Sequence, residues 1–95
     1  TLPTPAAGLN FRFVLISDAA DDVTIINTGG VNTYLYGNYD LATAIKQISA
    51  KVYIRFDETG AVDAVIGDSI EIWGIDATHY YVRGSTASAN GIAVG

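Results

Sequence analysis

The chain has no cysteine and no methionine, a single histidine, a single tryptophan and only two prolines. Without thiols it has neither disulfides to brace a small core nor thiolates to hold zinc. Cations are few as well. Arg12, Lys46, Lys51, Arg55 and Arg83 stand against ten Asp and Glu, for a formal charge of −5. They are scattered, so the positive footprint that displaces counterions from phosphates is missing, and direct nucleic-acid binding is not expected. No apolar run approaches the ~20 residues of a membrane-spanning helix, and no charged-then-apolar leader opens the chain, so no membrane partner is expected. Thr1 is the first residue, as expected after removal of an initiator Met or processing of a longer precursor.

What is present is β-forming. VTIIN, TYLYG, VYIRF, AVDAVIG, SIEIWG and HYYVRG are rich in Val, Ile and Tyr, and Gly, Asn or Asp separates them. Ninety-five residues make one domain. Its core is thin at this size, and 49% of the residues are apolar against 16% charged. Both facts point to apolar surface that a partner covers, self-association included.

Residues 1–10 read as an extended, uncharged N-terminal arm, with Pro3 and Pro5 favouring polyproline-like backbone. Such an arm lies on its own domain or on a neighbour. Residues 11–95 form the folded domain. Phe11–Ser17 is the first strand, with Phe11, Phe13 and Leu15 on one face. Asp18–Asp22 turns the chain, Val23–Asn27 is β-branched, and Thr28–Gly30 is a turn. In Val31–Gly37, Val31, Thr33 and Leu35 alternate with Asn32, Tyr34 and Tyr36. Leu41–Ala50 reads two ways: Leu41, Ala44, Ile45 and Ile48 have helical spacing, whereas the β-rich surroundings favour a bent strand. The balance lies with the strand. Asp57–Gly60 is expected to close a hairpin from Val52–Phe56 onto Ala61–Ile66, and Gly67–Ser69 leads into Ile70–Gly74. Thr78–Arg83 and a short terminal strand follow. This spacing of turns predicts an all-β antiparallel sandwich, jelly-roll or Ig-like, of about eight short strands.

Chemistry-bearing constellations are sparse. His79 has no Ser-centred elbow or second His to work with, and Asp76 beside it reads as a turn residue, so a packed or interfacial histidine is expected. Asp18, Asp21 and Asp22 lack the spaced pattern of a calcium loop, and no metal or cofactor is expected. Asp57 and Glu58 sit side by side at a turn, where they cannot flank a glycosidic bond. No enzymatic activity is expected. The aromatics are the best candidates for recognition: Tyr34, Tyr36, Tyr39, Tyr53, Trp73, Tyr80 and Tyr81. Rings with a polar tip suit protein interfaces, and they also stack on sugars.

The segments VTIINTGGVNTYLYGNYDLATAIKQIS and ATHYYVRGSTASANGIAV resemble small structural proteins of tailed-bacteriophage virions. The likeness covers Val23–Ser49 and Thr78–Val94, about half the chain, and its motifs are structural ones. Ala50–Gly74 departs from the pattern, with a charged hairpin in place of a Pro-Asp-Gly turn. The resemblance implies a capsid decoration, or cement, protein: a compact β-sandwich, often trimeric, that sits on the outer capsid surface and clamps neighbouring capsomers. The implied partners are the major capsid protein or other virion proteins, and further copies of the chain. A tail or fibre accessory role fits the same motifs. The contacts expected are Leu2, Pro3, Pro5 and Leu9 of the arm, then Tyr34, Tyr36, Tyr39, Trp73 and Tyr81. The alternative is a carbohydrate-binding or adhesive module that uses Trp73 and Tyr81 as a stacking platform.

Overall fold

A computed structural model describes residues 1–16, 22–28, 32–58 and 64–95. Among the described residues there are eight strands and no helix: β1 (Asn10–Val14), β2 (Asp22–Asn27), β3 (Tyr34–Asp40), β4 (Ile45–Lys51), β5 (Tyr53–Glu58), β6 (Ser69–Gly74), β7 (His79–Ser85) and β8 (Ile92–Val94). Two-residue alternation produces them. In β7, Tyr80, Val82 and Gly84 are buried while His79, Tyr81, Arg83 and Ser85 face out; in β6, Ile70, Ile72 and Gly74 point inward.

The strands form two sheets, ordered β1-β6-β7-β3-β4 and β2-β5-β8. One hydrophobic cluster draws on both. Leu35, Ile48, Ile70, Ile72, Tyr80 and Val82 come from the larger sheet, and Ile26, Ile54, Phe56 and Ile92 from the smaller. Among the described residues every strand pairing is antiparallel except one. β3 runs parallel to β7, with Tyr34 opposite His79 and Asp40 opposite Ser85, so the five-stranded sheet is mixed. This corrects the wholly antiparallel expectation.

Of Leu41–Ala50, residues 45–50 are strand, whereas residues 41–44 form a turn in which the Leu41 N–H donates to the Ala44 carbonyl at 2.7 Å. β4 is held by β3, where Asn38 meets Gln47 and Asp40 meets Ile45. The helical spacing does not translate into one buried face: Ile48 is buried and Leu41 packs partly against the core, while Ile45 stays 74% exposed. The register shifts between Leu35 and Gly37, so β4 carries one extra residue there, and Ala50 takes a left-handed φ of 53°. The hairpin expected onto Ala61–Ile66 falls largely on residues 59–63, which are not described; at its described edges the Ala64 N–H donates to the Asp57 carbonyl at 2.7 Å, and residues 64–66 are not strand. Residues 61–63 lie outside the described residues, as do Asp18 and Asp21 of the acidic turn, Gly29 and Gly30, and Val31.

The arm lies on its own domain. Leu2 is buried and its N–H donates to the Asn27 carbonyl at 2.8 Å. The hydroxyl of fully buried Tyr80 donates to the carbonyl of Pro3, and burial pushes that phenol's pKa up, so it stays a donor. Ala6 crosses directly over Gly74, where a Cβ would sit 2.1 Å from the Ala6 carbonyl oxygen. Gly74 N–H in turn donates to Leu9 at 2.8 Å. Substituting Gly74→Ala therefore lifts the arm. The expected cost is about 2 kcal/mol, roughly 10 °C in Tm for a domain of this size. Amide exchange at Leu2 should speed up in the same variant, and an unchanged rate would mean that the arm is not seated there.

Candidate functional site

Strand register assembles the aromatic residues into a row. On the outer face of the five-stranded sheet, Asn10 of β1 faces Trp73 of β6, Trp73 faces Tyr81 of β7, and Tyr81 faces Tyr36 of β3. Neighbouring strands stand about 4.8 Å apart, so side chains from one transverse row can touch. Trp73 and Tyr81 do, with ring centroids 5.5 Å apart and planes at 38°. The adjacent row is polar: Arg12, Glu71, Arg83, Asn38 and Gln47. Arg83 also lies 3.7 Å from Asp40 on β3.

At the β7 end of the row lies an open depression of about 320 Å³, lined by Tyr36, Ile75, Asp76, His79, Tyr80 and Tyr81. Tyr36 contributes its ring 5.3 Å from that of His79. The turn before β7 is built on Asp76. Its Oδ1 accepts the Thr78 N–H at 2.9 Å and the Thr78 hydroxyl at 3.2 Å, and lies 2.7 Å from His79 Nδ1. The Thr78 N–H holds the Asp76 carboxyl below its ordinary value of 3.8, with help from His79. A proton on Nδ1 satisfies the short contact, which leaves Nε2 of the neutral ring as an acceptor. In covalent catalysis an oriented Asp–His pair of this kind serves to activate an adjacent hydroxyl or thiol. The nearest hydroxyl, Thr78, is already used within the turn. No group of three or more His, Cys, Asp or Glu that could hold a metal occurs among the described residues.

The residues expected to make contacts divide. Trp73 and Tyr81 come together, and Tyr36 joins their row; Tyr34 is half-buried one step along β3, opposite His79. Tyr39, grouped with them from the sequence, is on the other face, because an odd step along a strand reverses the side-chain direction. It is buried beneath the sheet, and burial raises its pKa. Leu2 and Pro5 are buried in their own domain, Leu9 is half-buried, and Pro3 is exposed with its carbonyl engaged by Tyr80.

Two features escaped the sequence reading. One is a buried carboxylate, Asp68, which ties two loops together. The other is an apolar end. Leu15 N–H donates to the Asp68 carbonyl, and Gly67 N–H to the Leu15 carbonyl, which lays residues 14–16 beside residues 65–67. Ile16 is 83% and Ile66 63% exposed, with Val14 and Val65 exposed next to them in sequence. The signal was available in part: Ile16 and Ile66 each end an apolar run just before a turn.

Compared with protein-family models, with curated proteins and with solved structures, the chain matches none of them.

Proposed function

We infer that this chain is a non-enzymatic virion protein of the capsid decoration type: a jelly-roll or Ig-like β-sandwich that docks on the outer surface of a bacteriophage head and reinforces its lattice. It works as a homo-oligomer, a trimer by preference, against the major capsid protein. The observation that carries this reading is the apolar end. Single exposed apolar residues are ordinary on any protein surface, but Val14, Ile16, Val65 and Ile66 lie on two segments joined by backbone hydrogen bonds. A partner that covers them gains their burial. The resemblance of Val23–Ser49 and Thr78–Val94 to virion structural proteins names the partner, and the net charge of −5 keeps the protein off packaged nucleic acid.

Burying an isoleucine side chain contributes ~1.5–3 kcal/mol. The double substitution Ile16→Asp with Ile66→Asp is therefore expected to weaken binding to purified empty shells by at least ~100-fold, with Tm unchanged because both side chains are solvated. Cosedimentation with shells measures the first quantity and a thermal melt the second. Undiminished shell binding by the folded double variant would refute the proposal.

A further inference from the structure

The aromatic row lies on the outer sheet face, built from residues other than those of the apolar end, and its chemistry is different. We propose that Tyr36, Tyr81 and Trp73, with Asp76 and His79 at their end, form a binding site for a neutral saccharide chain.

The depression beside Tyr81 is of ligand size, apolar along its base and polar at one margin, the usual make-up of a small-molecule site. The margin offers acceptors. All of the hydrogen bonds that Asp76 makes fall on Oδ1, so Oδ2 takes none among the described residues. His79 is fixed through Nδ1, which leaves Nε2 likewise open. A ligand that fits must donate hydroxyl protons to a carboxylate and an imidazole while laying an apolar surface on rings. Sugars have that combination: hydroxyls around the edge and C–H groups on the ring faces. The row crosses three adjacent strands, at about 4.8 Å per step, so it is long enough for a short oligosaccharide rather than one sugar.

Charge selects among sugars. The ionised Asp76 carboxylate at the margin and the overall charge of −5 disfavour sialylated, sulfated or uronic chains. The polar row alongside, with Glu71 facing Arg83, supplies further hydrogen-bonding partners for a neutral chain. Pre-orientation of Asp76 and His79 within their turn reduces the ordering that binding would otherwise require.

The chain's single tryptophan is Trp73, so its emission reports on the row directly. The test is an array of neutral and acidic oligosaccharides probed with the full chain, followed by titration of the best neutral hit with Trp73 fluorescence as readout. A saturable change is expected, together with at least a tenfold loss of affinity in Tyr81→Ala and in Asp76→Asn. Tyr81→Phe should restore most of the Tyr81 loss, since the ring is kept. Tm should hold in the two Tyr81 variants, because Tyr81 lies on the outer face, and in Asp76→Asn, because the amide oxygen can still accept the Thr78 N–H that sets the turn. Failure of every neutral oligosaccharide to bind overturns the proposal, as does binding that Tyr81→Ala leaves intact or an acidic sugar as the preferred ligand. If Tyr81→Ala instead weakens shell binding and no sugar binds, the row is a protein contact and the saccharide site is refuted. The Ile16 and Ile66 double variant should keep full sugar affinity, so the two surfaces fail or succeed independently.

Discussion

Gly37→Ala is expected to cost about 4 kcal/mol or more, a large share of the 5–15 kcal/mol that holds a domain together. Gly37 of β3 sits opposite the β-bulge of β4 with φ of 142°, a conformation that side chains rarely adopt. A Cβ there would lie 2.0 Å from the Val82 carbonyl oxygen and 2.9 Å from the Val82 nitrogen. Both obstacles are main chain, so no rotamer change relieves them. Relief requires β3 and β7 to part, and these are the strands that join the two halves of the larger sheet. Urea denaturation measures the effect, with loss of the folded baseline as the extreme outcome. If Gly37→Ala melts within a few degrees of the parent, the parallel register of Tyr34–Asp40 against His79–Ser85 is wrong.

The second large effect is expected at Asp68, whose buried side chain is held by three neutral donors. Oδ2 accepts the Val65 N–H at 2.9 Å and the Thr86 hydroxyl at 2.6 Å, and Oδ1 accepts the Ala87 N–H at 3.1 Å. Thr86 Oγ1 accepts the Ser88 N–H in turn. One carboxylate thus satisfies donors on the loop before β6 and on the loop after β7. Asp68→Ala strands all three donors, at about 1–3 kcal/mol each when buried, and a loss of roughly 3–5 kcal/mol is expected after partial rehydration. Asp68→Asn should fall between, since its NH₂ group must face a donor where an oxygen now accepts. Chemical denaturation of both variants checks the order. A change below ~1 kcal/mol for Asp68→Ala would show that water replaces the carboxylate freely and that the staple is unimportant.

Strand identity could be read from periodicity because it is a local property. SIEIWG and HYYVRG carry their inward and outward residues in plain alternation, and the structure buries the expected half. Within the ambiguous Leu41–Ala50, residues 45–50 are strand as the surroundings suggested, while residues 41–44 are a turn. Pairing is a different matter. Nothing within YLYGNYD says that its neighbours are β4 on one side and a parallel β7 on the other, because partner choice depends on how the whole chain packs. The same limit governs the site. Trp73 and Tyr81 could be named as a pair, but their contact with each other and their shared row with Tyr36 exist only through the β6-β7-β3 order. Tyr39 was placed with Tyr36 by proximity in sequence, whereas strand parity sends it inward. Asp68 looked like one more turn aspartate. Its three donors come from segments on both sides of β6 and β7, which no window of sequence contains.

The parallel seam also fixes the order of events when the polypeptide collapses. Between β3 and β7 come three whole strands, β4, β5 and β6. The middle of the larger sheet therefore closes a long loop, with Tyr34 paired to His79, and its entropy must be lost before any ladder hydrogen bond compensates. Zippering outward from a tight hairpin is not open to these two strands. Refolding should accordingly be slow for so short a chain, in the millisecond-to-second range of β-rich domains, with β4 clinging to β3 as a lone ribbon until β7 arrives on its other flank.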